Sequence, residues 1–213
     1  YDKDRKFVIL DETPFYATSG GQLHDNGTIS TADDCIKVVD VTKENGIYLH
    51  VIDADDAGAA MQLKVGDKVD TAIDAARRHR TSRGHSATHL VQQALRDVLG
   101  DHVMQAGSYV DEKGLRFDFN HFQAMTAEEI QKVEDIVNEK IDRFLPIAMM
   151  EMPIEDAKKL GAMAIFGEKY GDIVRVVDMG GYSVEFCGGT HLDNTGKIGA
   201  IKITGEFGVA SGV

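Results

Sequence analysis

The sequence predicts an α+β fold in two parts, a small β-barrel over residues 1–74 followed by an α+β domain over residues 75–213. Three observations predict it. Short runs of strand-like residues separated by turn residues fill the first part. Helical periodicity takes over after Asp74. Beyond that point strands and helices are mixed, with no regular βαβ alternation.

In the first part, Phe7 to Leu10, Cys35 to Val41, Ile47 to Ile52 and Lys68 to Ile73 read as strands. Ser19-Gly-Gly21, Asp25-Asn-Gly27, Asn45-Gly46 and Val65-Gly-Asp67 supply the turn chemistry between them. Strands this short and evenly spaced suit a small barrel or sandwich. Cys35 falls in an alternating run and reads as a small buried apolar residue, and the polar stretch Asp53 to Gly58 reads as a loop.

In the second part, Leu90, Val91, Ala94, Leu95, Val98 and Leu99 form one helical stripe between Ser86 and Leu99, with Gly100 as the stop. Gly107 to Val110 and Leu115 to Phe119 read as a hairpin turning at Asp111 to Gly114. Thr126-Ala-Glu-Glu129 has the capping-box pattern, and the periodicity that follows runs through Ile130, Val133, Val137, Ile141 and Phe144 until Pro146 ends it. Ile147 to Met152, Ile173 to Asp178, Ser183 to Phe186 and Ile198 to Ile203 read as strands, and Ile154 to Leu160 as a short helix before Gly161.

With 213 residues, 43% of them hydrophobic and 27% charged, the chain is long enough for one large domain or two small ones with a packed core. No run approaches the apolar length needed to span a bilayer, and the opening residues are charged where a secretion signal would be apolar, so a cytoplasmic location without membrane contact is expected. The opening at Tyr1 and the uncharged close at Val213 suggest a piece of something longer. A net charge of −12 argues against broad wrapping of nucleic acid, so any RNA contact must be local. Arg77-Arg78-His79-Arg80 with Arg83 is a candidate for that contact, and a solvated helical face is the plainer reading. Two cysteines are too few for a disulfide framework.

His85-Ser-Ala-Thr-His89 places two imidazoles four residues apart on one helical face, within reach of a single ion. Alone, such a pair is also compatible with polar residues at a helix start. Cys187-Gly-Gly-Thr-His191 repeats the spacing with a thiol and an imidazole across two glycines, which is hard to explain as packing. One sulfur with three imidazoles suits Zn2+ in tetrahedral geometry, although four protein ligands close the tetrahedron and closed sites are usually structural. Ser86 stands where a zinc peptidase would carry its general-base Glu, so a peptidase loses weight.

Pro14-Phe-Tyr-Ala-Thr-Ser-Gly-Gly-Gln22, His85 to His89, Leu115-Arg-Phe-Asp-Phe119, Gly161 to Tyr170, Cys187 to His191 and Thr195-Gly-Lys-Ile-Gly199 together resemble the editing domain of bacterial alanyl-tRNA synthetases, in order and over essentially the whole chain. Freestanding trans-editing proteins and the second domain of threonyl-tRNA synthetases share the metal motif. The resemblance implies that residues 75–213 form a zinc-containing α+β sandwich of that second-domain type, with zinc on His85, His89, Cys187 and His191. It implies hydrolysis of Ser-tRNA(Ala) and Gly-tRNA(Ala), with the acceptor end of tRNA(Ala) as partner. It makes Gln105 and Thr88 pocket residues that position the reacting groups, and gives Gly20 and Gly21 a part in recognising serine. The plainer alternatives are a strand-edge glutamine, a helix-capping hydroxyl and a simple turn. No general base stands out, and Asp118 and Glu185 read as charged strand-face positions. No phosphate-loop signature is present, so no ATP site is expected. Two alternatives stay open: a zinc-stapled aminoacyl-tRNA binding module without catalysis, and a freestanding trans-editing hydrolase.

Overall fold

The structure is a computed structural model that describes residues 6–164, 170–210 and 212–213. It divides into two compact units, Tyr1–Arg80 and Thr81–Val213. Residues 165–169 of the Gly161 to Tyr170 motif lie outside the described residues.

The first unit is an antiparallel sheet of five strands in the order β1 (Phe7–Val8), β4 (Ile47–Ile52), β3 (Cys35–Glu44), β2 (Gly27–Ser30), β5 (Asp70–Ile73). The barrel expected over residues 1–74 is not formed. Among the described residues β1 and β5 each have one neighbour and end the sheet, and strands of two and four residues are too short for the tilt and stagger that closure requires. β3 alternates exposed and buried residues up to a bulge between Val38 and Asp40, so that Ile36, Val38 and, past the bulge, Val41 enter a core with Val8, Phe15, Ala17, Ile29 and Ile52. The same alternation leaves Cys35 exposed rather than buried. β2 was not foreseen because Ile29 is its one buried residue and Gly27 reads as a turn. Gly27 in fact opens the strand, and a Cβ there would overlap the backbone of Ala72 and Ile73 on β5. Asp53 to Gly58 also carries more structure than a loop, with a 3₁₀ turn at Ala54–Asp56 leading into α1 (Ala57–Ala60).

α2 (Ala75–Leu99) starts well before the Ser86 expected. Asp74 caps it, its carboxylate accepting from the N–H of Arg77 and its carbonyl from that of Arg78. The early turns escaped the periodicity reading because their side chains are polar, with uses of their own. Arg77 donates to the His24 carbonyl, while Arg78 pairs with the buried Asp25 and donates to the Pro14 carbonyl. Arg83 donates through Nε and Nη2 to the Ile198 carbonyl. Three of the four arginines of the candidate RNA patch are thus fixed in the fold.

In the second unit Ala87, Leu90, Val91, Ala94 and Leu95 of α2 pack with Val133, Val137 and Ile141 of α3 (Ala127–Asp142) and with Ile147, Val177 and Met179 of the sheet below. That sheet is antiparallel, in the order β10 (Val184–Phe186), β9 (Ile173–Met179), β8 (Ile147–Pro153). A short helix, α4 (Ile154–Lys159), follows β8, with Ala157 packed among Val174, Val176 and Phe186. β6 (Gln105–Val110) and β7 (Leu115–Phe119) form the expected hairpin, its turn held by Asp111, whose carboxylate accepts from the N–H groups of Lys113 and Gly114. The Thr126 capping box is formed, with both reciprocal bonds present. Helices and antiparallel sheets are therefore segregated as an α+β reading requires.

The strand expected at Ile198 to Ile203 is absent among the described residues. Thr195–Ile198 is a 3₁₀ turn, and the backbone after it is bound by side chains of α3. Asn138 accepts from the Ile201 N–H at 3.0 Å and donates to the Ile201 carbonyl at 3.1 Å, while Glu134 accepts from the Ile203 N–H at 2.8 Å. Two helix side chains stand in for a partner strand, a use that period-two alternation cannot distinguish from a sheet. α3 also ends before the expected Phe144, which takes a left-handed φ of 52° beside Gly196, where a Cβ would overlap the Phe144 ring.

Candidate metal centre

His85 and His89 lie one turn apart on the buried middle of α2, each 5% exposed, with their rings stacked at 5.5 Å. Cys187 and His191 sit at the two ends of the loop that leaves β10. Their ligand atoms and those of the two helix histidines all lie within 4.8 Å of one another, so the four residues singled out by spacing come together. Sγ of Cys187 is 3.4 Å from Nε2 of His85 and 3.2 Å from Nε2 of His191. Tetrahedral zinc would put sulfur and nitrogen donors about 3.3–3.6 Å apart, and these two pairs already stand close to that separation.

The Cys187 loop is tied down from several sides. Its first N–H bonds the Arg175 carbonyl on β9, and the Arg175 guanidinium donates to the carbonyls of Cys187 and Gly189. Thr190 and Ser82 share a hydroxyl hydrogen bond of 2.8 Å. The N–H of Gly189 points at the Cys187 sulfur at 3.4 Å. Gly188 takes no left-handed φ and has open space where a Cβ would stand, so at that residue the turn does not depend on glycine.

Sequence reasoning missed Glu185. It is 5% exposed, not a surface strand residue, and its Oε2 lies 2.7 Å from Nδ1 of His89 while its Oε1 accepts from the Ser183 hydroxyl at 2.8 Å. The one cue in the sequence is its place two residues before Cys187, which by itself says nothing of burial. Asp118 is the charged strand-face residue expected, paired with Arg116 at 3.0 Å.

The electrostatics suit a cation. Burial opposes charge on His89, but the Glu185 carboxylate and the Cys187 sulfur outweigh it and hold the imidazole up at about 10. Burial also opposes ionisation of Cys187, but hydrogen bonds from His191 and His85 and the nearby charge of His89 overcome it and hold the thiol well below its usual range. Burial drives His191 down to about 3, leaving it neutral. A thiolate and a carboxylate thus flank one buried positive ring, whose Nε2 has no hydrogen-bond partner among the described residues. The contact of His89 with Glu185 is one of charge more than of alignment, since Nδ1 lacks ordinary hydrogen-bond geometry as well. A divalent ion on the four donors would replace that ring's proton. With one thiolate bound it would keep a single positive charge, which Glu185 balances.

Thr88 is buried on α2 and donates its hydroxyl to the Gly84 carbonyl at 3.0 Å. Gln105 opens β6 beside a bulge, and its amide donates to Ser108 at 3.1 Å. Gly20 and Gly21 belong to the first unit, where they form a tight turn with φ of 55° and 80° between the paired Ser19 and Gln22. No helix among the described residues is long and apolar enough to cross a membrane.

Residues 174–213 match the family described as "Threonyl and Alanyl tRNA synthetase second additional domain", and residues 2–77 match "tRNA synthetases class II (A)". The chain is 50% identical over 212 residues to an alanine–tRNA ligase of Fusobacterium nucleatum subsp. nucleatum, covering 99% of this chain and 24% of that protein. It is 54% identical over 211 residues to the ligase of Acetivibrio thermocellus, with the same coverage of both chains. Against that of Pseudomonas fluorescens it is 54% identical over 207 residues, covering 97% of this chain and 23% of the relative. The chain therefore spans about a quarter of the length of these relatives.

Proposed function

We propose that the chain is the editing segment of an alanine–tRNA ligase, as its likeness to those enzymes suggests, and that it hydrolyses tRNA(Ala) mischarged with serine or glycine at a zinc site. The observation that carries the reading is the convergence of His85, His89, Cys187 and His191, with the Cys187 loop inside the stretch matched by the second-additional-domain family.

The physical need is clear. A pocket sized for alanine rejects neither the smaller glycine nor serine, which adds one hydroxyl, with enough discrimination, so fidelity requires a second site. Zinc, when bound, supplies Lewis acidity toward the ester carbonyl. The chain's own residues do the rest. The buried walls of α2 limit bulk water. Thr88, its proton committed to Gly84, presents a hydroxyl oxygen that accepts from the substrate's ammonium or hydroxyl. Gln105 orients the attacking water through the part of its amide not engaged by Ser108. Gly20 and Gly21 take part in recognising serine. Glu185 is left out as a general base because both its oxygens are engaged, by His89 and Ser183.

Zinc-loaded wild type and Cys187→Ala, assayed side by side on Ser-tRNA(Ala), test the reading. Metal and deacylation are expected to be lost together, the rate by at least about 100-fold, the scale on which one preorganised electrostatic group acts. Full activity in Cys187→Ala contradicts it. Four protein donors with a buried carboxylate behind them also fit a closed structural site, which favours a binding module as the second reading. Stoichiometric zinc with no turnover of any aminoacyl ester would select that one.

A further inference from the structure

We propose that Glu185 is a positioning residue of the metal centre, acting through His89, and that Ser183 and Ser86 complete an outer shell that turns the imidazoles' Nε2 atoms toward one point. The proposal rests on the metal reading above. A histidine offers a metal only the nitrogen that carries no proton, so the group held by the other nitrogen selects the ligating atom. At His89 the Glu185 carboxylate stands 2.7 Å from Nδ1, so that nitrogen faces the anion and Nε2 is the one left to face the other donors. At His191 the partner of Nδ1 is Ser86 Oγ at 3.2 Å. The same oxygen accepts from the Leu192 N–H at 3.1 Å, and with a metal on Nε2 its second lone pair would take the Nδ1 proton of His191. Nε2 of His191 is then the atom that faces Cys187, as is Nε2 of His85.

The carboxylate is itself held. Its far oxygen accepts from Ser183 Oγ at 2.8 Å, and both residues are buried on or beside β10, Ser183 1% and Glu185 5% exposed. An anion at this depth without a counter-charge would be costly, which is the physical reason to read it as part of a cation site and not as a packing residue. Along the chain, Ser183 and Cys187 flank β10 with Glu185 at its centre, so orienter, carboxylate and donor arrive at the site from one short stretch.

The test is zinc affinity, measured by competition with a chromophoric chelator at fixed pH, together with the visible spectrum of the cobalt-loaded protein. The proteins are wild type, Glu185→Gln and Ser183→Ala. Glu185→Gln keeps the volume and removes the charge, and is expected to weaken zinc by about 10- to 100-fold and shift the cobalt bands, with circular dichroism unchanged. Ser183→Ala, which leaves the carboxylate in place but unsupported, is expected to give a smaller loss in the same direction, and it serves if Glu185→Gln fails to fold. Wild-type affinity and cobalt spectrum in a folded variant overturn the proposal. Wild-type binding in the same titration reports on the metal reading itself, and only the ratio between proteins reports on Glu185.

Discussion

A single carboxylate shows how much depends on what a side chain touches. Glu134 on α3 bonds the Lys202 ammonium and the Ile203 N–H, each at 2.8 Å, and these contacts, Lys202 first, hold its carboxyl below the usual range. A group whose folded value lies below its unfolded value stabilises the fold above the unfolded value and loses that contribution as pH falls through the folded one. Wild type is therefore expected to exceed Glu134→Gln in urea midpoint at pH 7, with the gap closing as pH drops below about 4. A gap that persists unchanged to pH 2.5 would contradict this. The convergence of His85, His89, Cys187 and His191 was legible at the same scale because soft and imidazole donors at matched spacing have few other uses. Glu185 was not, because a lone carboxylate on a strand carries no mark of burial until the strand's face is known.

At the scale of elements, what the sequence made legible was whatever announces itself locally. The capping box at Thr126 is local chemistry, and α3 begins where it says. Thr126→Ala should cost about 1 kcal/mol in denaturant unfolding without altering zinc affinity, since α3 supplies no ligand. The β6–β7 hairpin was legible for the same reason, its turn being built by Asp111 alone. The elements misread are those whose ends are decided by distant partners. α2 begins among arginines that find their acceptors in the first unit, and residues 201–203 bond to Asn138 and Glu134 where a strand would bond to a neighbour.

For the molecule as a whole, the closure expected of the first sheet does not occur among the described residues. Strand count and spacing are properties of the chain, but whether edge strands are long enough to meet is settled only by register, and β1 and β5 fall short. The use of Arg77, Arg78 and Arg83 inside the fold bears on RNA contact, since in a chain of net charge −12 these three guanidiniums are already engaged by the His24 and Ile198 carbonyls and by Asp25. Binding of tRNA by this segment alone should then be weak and should weaken further with salt, which filter binding at two salt concentrations would check. The central claim is hydrolytic editing, and release of amino acid from Ser-tRNA(Ala) beside Ala-tRNA(Ala), by the zinc-loaded chain at high protein concentration, tests it most directly. The account predicts that serine is released and alanine is retained. Equal release of both, or release of neither with zinc demonstrably bound and tRNA saturating, would contradict it.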